Sequence, residues 1–306
     1  MMFKQASNVN FEAQVIYDNA QRELKTARDA TNAVLIQYGQ LKLRACQGNV
    51  RRFLALFSQI KKVEWHSEKT TCLKGGLCLS EQDVVKLKEL DNISSSLTSG
   101  TVAGVVAGGA IAFGAYSAVG MLATASTGTA IASLSGVAAS NATLAFLGGG
   151  SLAAGGLGAA GGMMVLGGFV SVPALAIITA VTFAKAKTNF NKAYINLAEA
   201  NKTQNEIRVL VTACKGIADR TRMYIVLLER VDAIFSSMLS GLQQLIQREG
   251  TDYSFYSPDA RKAIAAVLAT AAAYKAILDM PILDKNGKLT PVSAHLITDV
   301  SRQLSL

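Results

Sequence analysis

Few residues in this chain carry groups suited to chemistry, and their spacing argues against each ordinary use. There are two histidines, His66 and His295. Neither has the partners of a catalytic base, and both read as surface or cap residues. The four cysteines are Cys46, Cys72, Cys78 and Cys214. Cys72 and Cys78 bracket CLKGGLC, but the spacing is too wide for a zinc pair and no His or second Cys pair lies nearby. Free thiols are expected, with a small oxidised ring at 72–78 as the alternative. A literal GxGxxG falls at Gly156, Gly158 and Gly161. A dinucleotide site needs an acidic residue about 20 positions on, and Leu175, Ala176 and Ile177 stand there instead. No GK[ST], HExxH or GxSxG occurs. The expectation is therefore no enzyme, no catalytic residues, no cofactor and no metal.

The chemistry that remains is that of close packing and hydrogen bonding in an apolar medium. The 93 residues from Asn92 to Ala184 contain no Asp, Glu, Lys or Arg. Eighteen of the 26 glycines lie between Gly100 and Gly168, inside this block. Small residues four apart let helix backbones approach in lipid, and Gly104 with Gly108, then Gly150, Ala154, Gly158 and Gly162, have that spacing. Ser133, Ser140, Asn141 and Thr143 make residues 130–147 more polar. They suit either the wall of a pore or hydrogen bonds between neighbouring helices. Gly148-Gly149-Gly150 and Pro173 mark breaks or a kink. A span needs about 20 apolar residues, so the block is long enough for two crossings comfortably and four tightly.

The elements that must position the block lie on either side of it. Residues 1–91 carry 14 Lys and Arg against 10 Asp and Glu, and residues 185–306 carry 16 against 11. Both flanks are mildly basic and aqueous in character. Lys and Arg near both entry points put the flanks on one side of a membrane. The basic excess is dispersed, without the stripe of a nucleic-acid binder. The start, MMFKQASNVNF, lacks the apolar core of a signal peptide, so synthesis in the cytoplasm without a leader is expected.

Apolar residues at three- and four-residue steps predict a helix over 10–62 and another over 185–248, both without proline. Ser80 and Asp83 form a capping box for a helix to about Leu97. Ser257-Pro258 opens a helix to about Leu278. A hairpin on Asn286-Gly287 and a short helix over 292–304 complete the chain. The expected fold is all-α: an elongated bundle of two long antiparallel helices with an inserted glycine-rich hydrophobic hairpin region. Its parts are 1–98, the membrane-inserting region 99–184, and 185–306.

Long helix, apolar insert, long helix and small tail resemble the α-helical pore-forming toxins of the cytolysin A (haemolysin E) type and their multi-component relatives. The resemblance implies a hairpin that inserts during oligomerisation, with the bilayer and further copies or a companion subunit as partners. The stretch Ser126–Gly156 is also similar to a glycine-rich block of uncharacterised bacterial proteins. The leading expectation is a membrane-associated, pore-forming protein that is soluble before insertion. The alternatives are a resident membrane scaffold whose bundle binds a protein, and a soluble helical protein with a buried Gly/Ala core.

Overall fold

The computed structural model describes residues 2–63, 79–99, 190–283 and 288–304. All its named elements are helical, and no strand occurs among the described residues. Helix α1 (Met2–Ala45) continues through a π-helical segment, Cys46–Val50, into α2 (Arg51–Phe57). Helix α3 is Glu81–Ser99 and α4 is Phe190–Glu249. A 3₁₀ turn, Tyr253–Phe255, leads to α5 (Pro258–Asp279) and α6 (Val292–Gln303). Residues 100–184 of the uncharged block and the Asn286-Gly287 turn lie outside the described residues; the block's first eight residues, 92–99, end α3. An antiparallel bridge between Leu283 and Leu289 flanks that turn.

Two of the helix starts follow from local chemistry. The Asp83 amide donates to Ser80 Oγ at 3.2 Å, and the Ser80 amide donates to Asp83 Oδ2 at 3.0 Å. This reciprocal pair satisfies two amides that α3 itself cannot. Ser257 Oγ accepts from the Ala260 amide at 3.2 Å, with Pro258 in the first turn of α5. Helix α4 stops at Gly250, whose φ of 83° suits a residue without a Cβ.

The long helices meet along a seam with a seven-residue repeat. On α4, Ala193, Ala200, Ile207, Cys214, Thr221, Leu228, Phe235 and Leu242 are all buried. A strict repeat of seven keeps one stripe facing one partner and favours supercoiling. On α1 the series Leu24, Thr31, Tyr38, Ala45 is buried likewise, as are Leu35 and Lys42. Continued unchanged, the first series would bring Arg52 and Gln59 inward and the second Asn49 and Leu56. Instead Phe53 and Ile60 continue the first and Val50 and Phe57 the second. Each is displaced by one residue. The π-helical segment between them supplies that residue. Phe53 then packs on Phe235 at 5.7 Å between ring centroids, and Phe235 on Tyr274 of α5 at 5.1 Å.

The expectation that the long helices run antiparallel is corrected. Asn196 Nδ2 donates to Asn10 Oδ1, Thr31 Oγ1 to the Cys214 carbonyl, Asn49 Nδ2 to Asp232 Oδ1 and Arg52 Nη2 to Ser240 Oγ. Both sequences ascend together, and a parallel bridge joins Lys61 to Asp252 beyond them. Short loops favour antiparallel neighbours, but residues 58–189 separate these two helices, and a connection of that length imposes no reversal. Helix α3 does run back along α1, since Asp91 bonds Arg51 and Ser94 accepts from Gln47.

In a cysteine-free background, Asn10→Cys with Asn196→Cys should form a disulfide rapidly on mild oxidation, read as a non-reducing gel shift. Asn10→Cys with Gln243→Cys should not. The opposite pattern would restore an antiparallel pair.

Candidate functional site

The residues singled out for membrane packing, Gly104, Gly108, Gly150, Ala154, Gly158, Gly162 and Pro173, lie outside the described residues. So do the polar candidates Ser133, Ser140, Asn141 and Thr143, and with them His66, Cys72 and Cys78. His295 is exposed on α6, and Cys46 and Cys214 are buried free thiols. No cluster of metal-ligating side chains occurs among the described residues. What the structure brings together is a different group: a polar seam inside the bundle, around the π-helical segment.

Lys42 is its centre. Two turns before Asn49 and seven residues after Leu35, it occupies a core position of α1 and is wholly buried. Its ammonium stands 4.7 Å from the centre of the Tyr38 ring. Burial lowers its pKa from 10.5 to about 7, while Asp279 and Cys46 pull the other way. Burial also pushes the Cys46 thiol up to about 12 and raises Tyr38 well above its ordinary value. The Tyr38 hydroxyl donates to the Ile277 carbonyl at 3.3 Å.

Two anionic arms belong to the seam, and Asp279 of one of them faces Lys42. On one, Lys275 of α5 bridges Asp279 Oδ2 at 2.6 Å and Asp83 Oδ1 of α3 at 3.2 Å. Burial works to raise the Asp83 carboxyl, but its bonds to Ser80 and Lys275 outweigh that and hold it low. On the other, Asp232 of α4 accepts from Tyr274 of α5 and, at 2.8 Å, from Asn49 of the π-helical segment. Burial is the main cause of the raised Tyr274 hydroxyl, with Asp232 adding to it. Alongside, Arg51 grips Asp91 of α3 through Nε at 3.0 and 3.1 Å and through Nη2 at 2.8 Å, and reaches Ser95 Oγ at 2.7 Å. Gln47 donates to the Ser94 carbonyl at 3.1 Å.

Together these bonds tie α1, α3, α4 and α5 at one level. A lysine titrating near neutrality has the acidity of a general base. The buried Nζ of Lys42 meets no solvent here, and a substrate would meet it no better. The arrangement suits orientation: it fixes which residues face each other and fastens α3, the helix leading into the uncharged block. Sequence reasoning missed the seam. A signal existed, because Lys42 and Asn49 sit seven apart in an apolar stripe.

No family model, curated protein or solved structure matches this chain.

Lys42 gives stability a definite pH dependence. Its folded pKa lies below its unfolded value, so the unfolded chain binds more protons between about pH 7 and 10.5, and stability rises with pH across that window. Buried tyrosines with raised pKa values oppose the rise above about pH 10. Lys42→Met should therefore stabilise the protein at pH 7, by about 1–4 kcal/mol. The gain should shrink at pH 9.5, as read from urea midpoints. An equal gain at both pH values would refute the assignment.

Proposed function

We propose that this chain is a membrane-active helical protein. In this reading an elongated helical bundle delivers the uncharged region, residues 99–184, to a lipid bilayer, where several copies breach or remodel it. The observation that carries the reading is the run Asn92–Ala184 without one Asp, Glu, Lys or Arg. Water-facing surface is normally covered by charge, and a sequence of this length cannot cover itself with hydroxyls and glycines alone. Among the described residues no helix is long and apolar enough to cross a membrane. The capacity to enter lipid therefore rests on residues 99–184.

The flanks support the same division of labour. Helices α1 and α4 bury a single stripe and expose charged residues elsewhere. Helix α3, the last described element before residue 100, is held by an ion pair to α5, by Arg51 to α2 and by Gln47 to the π-helical segment. A firmly anchored approach lets insertion pull on a defined point of the bundle. In lipid, the small-residue face at Gly150, Ala154, Gly158 and Gly162 gives helices a close-packing surface, and Ser133, Ser140, Asn141 and Thr143 find partners there or line a wet interior.

Purified full-length protein should release dye from liposomes. Gly158→Leu with Gly162→Leu should reduce the release at least about tenfold, because bulky side chains separate helices whose association depends on close contact. The helical content should remain unchanged by circular dichroism. Monodisperse wild-type protein that releases no dye at any lipid ratio would overturn the proposal.

A further inference from the structure

The outward face of α4 between Lys202 and Arg230 pairs bare cations with bare apolar side chains. Lys202, Arg208, Val209, Met223, Val226 and Arg230 are all exposed, Val209 by 69%. At 100° per residue these six positions fall within about 120° of the helix. They lie opposite Ile207, Cys214, Val211 and Ala218 of the buried seam. Lys202, Arg208 and Arg230 have no ion pair among the described residues. By the seven-residue repeat Lys215 and Glu229 share the face of Arg208 and are exposed, and Asp219 is held by Arg222 at 2.7 Å. The sector is thus positive, with valine and methionine between the charges. Cations interleaved with apolar side chains suit contact with an anionic membrane surface, where charge meets headgroups and apolar area is buried between them.

The levels at which the uncharged block joins the bundle point the same way. Ser94, near the end of α3, lies beside Gln47, whereas Asn196, near the start of α4, lies beside Asn10. Those levels are separated by about 37 residues of α1, roughly 55 Å along the axis. A bilayer's hydrocarbon core is about 30 Å thick. With its axis along the membrane normal, this bundle would hold one end of the block far from the surface that the other end touches. With its axis in the membrane plane, both ends reach one surface. Phe190, six residues after the block ends at Ala184, begins α4, so the cationic face and the first described residues after the block belong to one helix.

We propose that the exposed face of α4 from Lys202 to Arg230 is a docking surface for an anionic bilayer, on which the bundle lies flat. The proposal rests on the membrane reading above and adds lipid headgroup charge as the recognised chemistry. Lys202, Arg208 and Arg230 meet the headgroups, and Val209, Met223 and Val226 sink to the base of the headgroup layer.

The test is co-sedimentation of full-length protein with vesicles of phosphatidylcholine alone or mixed with phosphatidylserine, at low and high salt. Wild-type protein should partition more strongly onto the mixed vesicles, and salt should weaken that first attachment. A cation near an anionic surface is worth about fivefold in partition. The variant Lys202→Gln, Arg208→Gln, Arg230→Gln should therefore bind mixed vesicles about a hundredfold more weakly at low salt. A control carrying Lys25→Gln, Arg44→Gln and Lys262→Gln should bind several-fold or more tightly than that variant. Val209→Ser with Met223→Ser should weaken binding while keeping its preference for phosphatidylserine. Equal losses in the two triple variants, or binding indifferent to phosphatidylserine, would overturn the proposal. So would a change in the triple variant's sedimenting mass without lipid, which would assign the face to a second copy. Failure of the underlying membrane reading looks different: salt-sensitive binding persists, but wild-type protein releases no dye.

Discussion

The seam between α1 and α4 is the constraint on which the other contacts depend. Eight positions of α4, each seven residues after the last, face inward from Ala193 to Leu242 without interruption. The partner helix cannot match that repeat by itself. Its first buried series would place Arg52 and Gln59 in the core, at a cost of several kcal/mol for a buried charge without a partner. One extra residue, taken up by the π-helical segment Cys46–Val50, restores aromatic and aliphatic side chains to the seam. Arg52 is left at the edge, where it bonds Ser240 and Gln243. The aromatic chain Phe57, Phe53, Phe235, Tyr274 passes through the level so created. A local break in helical hydrogen bonding thus serves the packing of four elements.

Where the helix departs from its regular geometry, the polar groups gather. Asp232 occupies the second sevenfold series of α4, between Ile225 and Leu239, and its carboxylate takes Asn49 and Tyr274. An apolar residue there would pack without a desolvation cost. The polar choice fits register: a helix slipped by one turn would leave Asp232 buried away from both donors. A single polar pair in an apolar seam is a well-attested way to specify alignment. Lys42 contributes less to cohesion than its neighbours, because a fully buried amine gives up most of its basicity to stay there. Its long stem fills the space beside Tyr38, and its charge, when present, faces Asp279.

The helices were legible in the sequence because their signals are local. Apolar spacing located the long elements, Ser80 with Asp83 located the start of α3, and Ser257-Pro258 located the start of α5. The direction of the long pair was not legible, since an amphipathic stripe packs equally well in either sense. The cues that break the tie are cross-helix polar matches, Asn10 with Asn196 and Asn49 with Asp232. These are recognisable only once the two helices are set side by side. The one-residue displacement at Cys46–Val50 was hidden for a related reason. Leu41, Ala45, Phe53, Leu56 and Phe57 satisfy a loose three-and-four spacing whether or not a residue is inserted among them, and only the strict sevenfold series exposes the slip. The polar seam was overlooked because a lone lysine reads as a surface residue, and only the sevenfold spacing of Leu35, Lys42 and Asn49 sets Lys42 apart.

Parallel alignment has a consequence for how an apolar insert is mounted. In an antiparallel pair, an insert between the helices leaves and returns at one end, and both its attachment points are level. Here α3 turns back along α1 and ends beside the middle of the bundle, while α4 begins at the far end beside the first turns of α1. The chain between them must travel the intervening distance, about 55 Å or some 16 residues if fully extended, before any of it is free for another purpose. The 90 residues over 100–189 satisfy that demand with a large surplus. The surplus, rather than the whole block, is what a bilayer would receive. A crossing takes about 20 residues. With the joining stretches subtracted, two crossings are accommodated more readily than four.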